Sequence, residues 1–227
     1  MPDLESPDSA DDLYRYRTPD VPRSRPIMQG DVFEDVIIPG LNEGPGLAMV
    51  ITHPCSMRRG PHLRLRLLMG RVAARDQPIK LPWRGNFGLM PLPALFVNQP
   101  PGTWALSFED VGSVSAAALD VDRRVACLDD LGISLLNQRH AHYFTRYAVE
   151  TAALYEQSAN VLAEAELLED WLAAAIDEES KDWHERAAAE TVKFDSFIAP
   201  LRDGLKEPAR RASIRRAVAD EISRRFG

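Results

Sequence analysis

The sequence predicts an α+β protein in which a small β-barrel is followed by a C-terminal helical extension. Three observations carry that expectation. Residues 27–128 break into short apolar or alternating runs punctuated by proline and glycine, as strands joined by turns do. After position 129 the apolar residues recur three and four apart, the period of an amphipathic helix. A chain of 227 residues with 45% hydrophobic content also has material enough for a core without disulfide staples.

Residues 1–25 are rich in Asp, Pro, Ser and Arg and poor in large apolar side chains, so they form a flexible N-terminal tail unless docked. Within them Tyr14-Arg15-Tyr16-Arg17 alternates like a strand, and an edge strand or a partner-binding peptide competes there with the flexible reading. The barrel opens with Asp31-Val32-Phe33-Glu34-Asp35-Val36-Ile37-Ile38 and pauses at Pro39-Gly40. After a loop of Gly, Asn and Pro, the unbroken apolar run 47–52 suits a strand buried on both faces. Residues 62–67 alternate strictly, which places Leu63, Leu65 and Leu67 in a core and His62, Arg64 and Arg66 outside. Between those two strands Arg58-Arg59-Gly60-Pro61 reads as the turn of a hairpin. Residues 76–103 are dense in proline and glycine and suit irregular loops with short strands, and segments 104–108, 111–114 and 125–128 complete the barrel.

Asp129 or Asp130 is a fitting N-cap for a helix from 131 to about 147, which closes the barrel domain. The alanine-rich stretch from Thr151 is helical, with Val161, Ala165, Leu168, Leu172 and Ile176 in one stripe. Ser180 caps a further helix bearing Trp183, Ala187, Phe194 and Ile198, and Pro208 opens a last one with Ile214, Val218, Ile222 and Phe226 in a row. The resulting organisation is a tail over 1–25, a barrel with its closing helix over 26–148 and a helical extension over 149–227.

Charge is distributed unevenly. The net charge is -7, yet Arg58, Arg59, Arg64, Arg66, Arg71, Arg75, Lys80 and Arg84 are opposed in their stretch only by Asp76. Such local density points to a surface for a polyanion. Arg58, Arg59, Arg64, Arg66 and Arg84 are the candidate phosphate contacts, and Trp83 or Phe87 the side chain that stacks on a base. The competing reading is a solvated sheet face whose arginines pair with Asp31, Glu34 and Asp35. The last helix carries Arg210, Arg211, Arg215, Arg216, Arg224 and Arg225 while residues 156–190 are strongly acidic; mutual pairing is expected, and a second anion or partner site on the basic helix competes with it.

Thr52-His53-Pro54-Cys55 ends the most apolar strand. On an extended backbone His53 and Cys55 point to one side, so the imidazole can deprotonate the thiol or share a metal with it; a packing or turn role competes because no third orienting group is near in sequence. His140 and His142, two apart on a helix, diverge and make no metal pair, while Arg139, Tyr143 and Arg146 share a face that packs on the barrel or the extension, or serves a phosphate site. No phosphate-loop, dinucleotide or HExxH motif is present, so no cofactor and no metal are expected. No stretch approaches the roughly 18 apolar residues of a membrane span, the N-terminus lacks the apolar run of a secretion signal, and the two cysteines lie far apart. A cytoplasmic protein with reduced thiols is the expectation.

Gly30-Asp31-Val32-Phe33, the apolar second strand, the alternating third and the late segment ending in Cys127-Leu128-Asp129-Asp130 together resemble the MazF/PemK-like growth-inhibitor toxin family over about residues 27–147. The resemblance implies an SH3-like barrel in a bacterial toxin–antitoxin or phage-defence setting, and a metal-independent endoribonuclease if the chain is an enzyme. Cleaving members place an arginine at the start of the second strand and a hydroxyl residue after the third; here Gly46 and Val72-Ala73-Ala74 stand at those places. What the resemblance then implies is a barrel kept for binding, or a catalytic site rebuilt from other residues. In the rebuilt site His53 and His62 carry protons, with Cys55 beside His53, and arginines hold the phosphate. The partner is nucleic acid, RNA ahead of DNA, or another protein, with homodimerisation open; the rival function is a non-catalytic interaction subunit of a larger defence complex.

Overall fold

The computed structural model describes residues 4–41, 44–59, 62–97 and 103–227, and these divide into two compact units. The first gathers the described parts of Met1–Val21, Ile27–Met57 and Leu63–Gln157; the second gathers those of Pro22–Pro26, Arg58–His62 and Ser158–Gly227. In chain order the strands are β1 (Tyr14–Arg17), β2 (Asp31–Val36), β3 (Gly46–Val50), β4 (Arg58–Arg59), β5 (His62–Leu63), β6 (Arg66–Arg75), β7 (Leu89–Pro93), β8 (Thr103–Ser115) and β9 (Arg124–Leu128). A one-turn helix α1 (Pro54–Met57) precedes β4, and the long helices are α2 (Asp130–Thr145), α3 (Thr151–Ala175), α4 (Trp183–Ile198) and α5 (Pro208–Phe226).

Seven strands form one antiparallel sheet in the order β1-β9-β2-β3-β6-β8-β7, curled into a half-barrel. Its two edges are tied by side chains. Tyr14 Oη donates to the carbonyl of Pro93 at 2.9 Å and Arg17 Nη1 to that of Ala94 at 2.8 Å, which links β1 to the end of β7. Pro91 and Pro93 are tolerated because β7 is an edge strand, where a missing N–H breaks no ladder. Phe33, Ala48, Val50, Leu67, Met69 and Val114 line the concave side as a buried core.

Four features depart from the expectations. Tyr14–Arg17 is docked as an edge strand on β9, with Leu13 fully buried before it, so the strand reading of the N-terminal segment prevails there over the flexible one. Leu65, expected in the core, is 87% exposed: the Arg64 N–H donates to Met57 and the Leu65 carbonyl accepts from Ala116, so the backbone turns between β5 and β6 and the alternation is interrupted. The pairing of the second and third strands holds between β3 and β6, as Ala48↔Arg71 through Val50↔Met69, but the connection is a longer excursion through α1, β4 and β5. The expected turn residues Gly60 and Pro61 lie outside the described residues. Finally, segments 104–108 and 111–114 are one strand, β8. Leu106 pairs with Val72 and Val111 with Gly70, so residues 107–110 bulge opposite Arg71 and bend the strand.

Helix α2 starts as expected, because Asp129 Oδ1 accepts the Gly132 N–H at 2.7 Å, and it stops at Arg146 in a left-handed conformation. In the second unit the buried side chains of α3, α4 and α5 meet around Trp171, whose ring lies 5.7 Å from those of Phe194 and Phe226. Pro208 occupies the first turn of α5 as expected, whereas α4 is preceded by Asp182 in the cap position, with the Ser180 hydroxyl bonded to that carboxylate. Among the described residues no helix is long and apolar enough to cross a membrane.

Candidate nucleic-acid interface

The basic stretch is continuous in sequence but not a single patch. Arg66 and Arg75 stand at opposite ends of β6, and nine strand residues span about 30 Å. Arg66 is spent on its neighbour strand, with Nε donating to Ser113 Oγ at 2.9 Å and Nη2 to the Ser113 carbonyl at 2.6 Å. Arg71, midway, is buried and donates to the Gly44 carbonyl at 3.1 Å; its guanidinium fills the space above Gly46, where any Cβ would collide with it. An arginine therefore does lie at the start of β3, supplied from β6. Val72, Ala73 and Ala74 are interior to β6 and do not follow it.

Arg64, Arg75, Lys80 and Arg84 are exposed, and among the described residues none has a carboxylate partner. The acids expected to neutralise the stretch are engaged elsewhere: Asp31 with Arg124 at 2.9 Å, Glu34 and Asp35 with Arg123 at 3.2 Å. Arg58 and His62 fall in the second unit, partly buried and exposed respectively, and the side chain of Arg59 lies outside the described residues.

The loop after β6 is organised by Arg139 of α2. This fully buried guanidinium donates to the carbonyls of Leu89 at 2.7 Å, Asn86 at 3.1 Å and Gly85 at 3.2 Å. Gly85 and Asn86 adopt positive φ of 71° and 52°, which glycine and asparagine accept most readily. No carboxylate among the described residues compensates Arg139, and burial pushes its pKa down to about 10. Trp83 sits under the same guanidinium, 5.4 Å from it and 3% exposed. That corrects the expectation of Trp83 as an open stacking surface: a contact with Arg139, far along the chain, buries it. Phe87 is half-buried against His142, ring centres 4.9 Å apart. Arg84 remains at the rim of a cavity of about 380 Å³ lined by Leu4, Pro82, Trp83, Gly85 and Phe87. A second cavity of about 370 Å³ is lined by Arg75, Asp76 and Asn86 among others, so the loop joins Arg75 to Arg84.

His53 and Cys55 are not on extended backbone. The chain turns into α1 at Pro54, and the Cys55 N–H donates to His53 Nδ1 at 3.3 Å. With Nδ1 accepting, the neutral ring carries its proton on Nε2, and burial pushes the pKa below the usual histidine value. The exposed Cys55 directs Sγ to the Gln157 carbonyl at 3.7 Å. His62 belongs to the other unit, so the two expected proton carriers are not members of one body. Among the described residues no three His, Cys, Asp or Glu gather as a metal site.

Sequence reasoning gave the end of α2 a face of Arg139, Tyr143 and Arg146 and left Phe144 and Tyr147 without a role. Phe144 is 60% and Tyr147 77% exposed, and the Phe144 ring is braced edge-on by Tyr143 and His140, each at 4.9 Å. The signal was available: His140, Tyr143 and Phe144 follow the three-and-four helical spacing, whereas Tyr147 lies beyond the helix end, past the left-handed Arg146. Set against protein-family models and curated proteins, the sequence matches none of them.

Proposed function

We propose that this chain is an RNA-binding protein of the MazF/PemK kind, an SH3-like barrel with a helical extension, working in a bacterial toxin–antitoxin or phage-defence setting. One observation carries the reading. At the loop end of β6, Arg75, Lys80 and Arg84 stand exposed without a carboxylate partner among the described residues, in a protein of net charge -7. Asp76 lines the same cavity as Arg75 and makes no ion pair with it. Unpaired guanidinium groups held on a fixed loop suit phosphate oxygens, because each offers a fork of donors and a field that no neighbour cancels. A curled antiparallel sheet followed by a helix capped at Asp129 is the coarse order of elements this reading calls for.

Binding without cleavage is the form of the proposal. A general base needs a free nitrogen lone pair, and His53 commits Nδ1 to the Cys55 N–H. The test is Arg75→Glu with Arg84→Glu, measured by fluorescence anisotropy on labelled single-stranded RNA. Affinity should fall at least about tenfold with the melting temperature unchanged, and the salt slope should flatten by about 0.7 for each phosphate contact removed. Equal affinity of wild type and variant, or no retention of RNA by the wild type, overturns the proposal and favours a protein-interaction subunit.

A further inference from the structure

We infer that the exposed Phe144 ring, at the C-terminal end of α2, is a stacking platform for an unpaired base. The inference rests on the RNA-binding reading and deepens it by separating where bases lie from where phosphates lie.

An exposed aromatic ring on a helix is unremarkable by itself; here three further features give it a ligand. The ring of Phe144 is held from behind, by Tyr143 at 87° and His140 at 62°, and these in turn rest on buried Phe108, 5.7 and 5.5 Å away. A ring so braced loses little freedom when a flat partner covers it. Cations border it: Arg146 ends the helix with its guanidinium 5.8 Å from the Tyr143 ring, exposed and without a carboxylate partner among the described residues. The loop that carries Arg84 passes on the His142 and Tyr143 side of the helix: Phe87 packs on His142, and a Cβ at Gly88 would lie 3.6 Å from the Tyr143 ring.

The third feature is negative. Glu109 Oε1 would lie 4.0 Å from that same Cβ, beside Gly88 together with Tyr143, and it has no side-chain partner among the described residues. A carboxylate there repels phosphate and tolerates a neutral base, whose amino hydrogens it can accept. Ring, carboxylate and arginine therefore sort a single strand, with a base over Phe144 and backbone toward Arg146. A duplex keeps its bases paired and cannot use the platform.

The experiment compares wild type with Phe144→Ala, full chain, on oligo(C), oligo(U) and a blunt RNA duplex across a salt series. The variant should lose about tenfold or more in affinity for both single strands. Its duplex affinity and its salt slope should match wild type, because no phosphate contact is removed. Single-strand affinity equal to wild type overturns the platform while leaving RNA binding standing; so does a parallel loss on duplex and single strands. A wild type that binds none of the three overturns the platform together with the function it rests on. Phe144→Trp, which keeps a stacking face, should retain affinity if the variant chain is folded and the platform is real.

Discussion

Two parts of this molecule are rich in arginine and differ in what those arginines touch. In the helical unit Arg202 reaches Glu164 and Asp195, Arg215 reaches Glu166, and Arg210 reaches Glu207. Arg224 and Arg225 share Glu221, whose pKa their hydrogen bonds hold down at about 2. The pairing has exceptions among the described residues: Arg186 and Arg211 donate only to the carbonyls of Ala175 and Leu205, and Lys181 and Arg216 are exposed with no carboxylate partner. In the half-barrel unit the exposed Arg64, Arg75, Lys80 and Arg84 have no carboxylate partner among the described residues. Positive charge counted along the sequence marks both regions alike. Pairing separates them, because a cation beside a carboxylate presents a dipole and a lone one presents a field.

The comparison breaks most sharply where pairing is complete. Arg124 and Asp31 meet at 2.9 Å with both side chains fully buried, and Asp31 also accepts the Met28 N–H at 3.0 Å. Removing the cation leaves a buried carboxylate, so Arg124→Leu should cost about 3–5 kcal/mol in urea unfolding. Arg124→Leu with Asp31→Asn should recover part of that loss. If the single variant is as stable as wild type, pairing does not govern what these arginines do.

How much of this was legible in the sequence depends on the range of the interaction involved. The Asp129 cap, the Pro208 start and the apolar run of β3 are local signals, and each marks an element in the structure. Leu65 failed because strict alternation assumes an unbroken strand, and the break is set by hydrogen bonds to Met57 and Ala116. At the candidate site, the unpaired state of Arg75 and Arg84 could not be read from charge counts, since Arg123 and Arg124 take the acids of β2 from far along the chain. Trp83 misled for the same reason: aromatic residues in a proline-rich loop look exposed until Arg139 folds over them.

A smaller effect is expected where pairing is partial. Arg202 is 34% exposed and its two carboxylates about as accessible, so solvent screens the pairs. Arg202→Ala should lower stability by about 1 kcal/mol, less at high salt, and leave RNA affinity unchanged. A drop in RNA affinity comparable to that of Arg75→Glu/Arg84→Glu would place a binding surface on the paired region and dissolve the contrast.

The smallest effect is a pH dependence that neither set of arginines can supply, because all stay charged near neutrality. Burial lowers the pKa of His53 and of His140 in the folded half-barrel unit. In the unfolded chain both return to about 6.5, so below that value the unfolded state binds protons that the folded state refuses. Stability should therefore fall as pH drops through 6.5, with a slope no steeper than about 1.4 kcal/mol per pH unit for each histidine. His140→Gln removes one of the two groups and should flatten the stability–pH curve between neutral and mildly acidic conditions, whatever it does to stability at neutral pH. The readout is the difference in slope between wild type and variant urea midpoints. Parallel curves, or a wild type that gains stability on acidification, would mean that His140 is not held neutral beneath Phe144, and the bracing of that ring would need another cause.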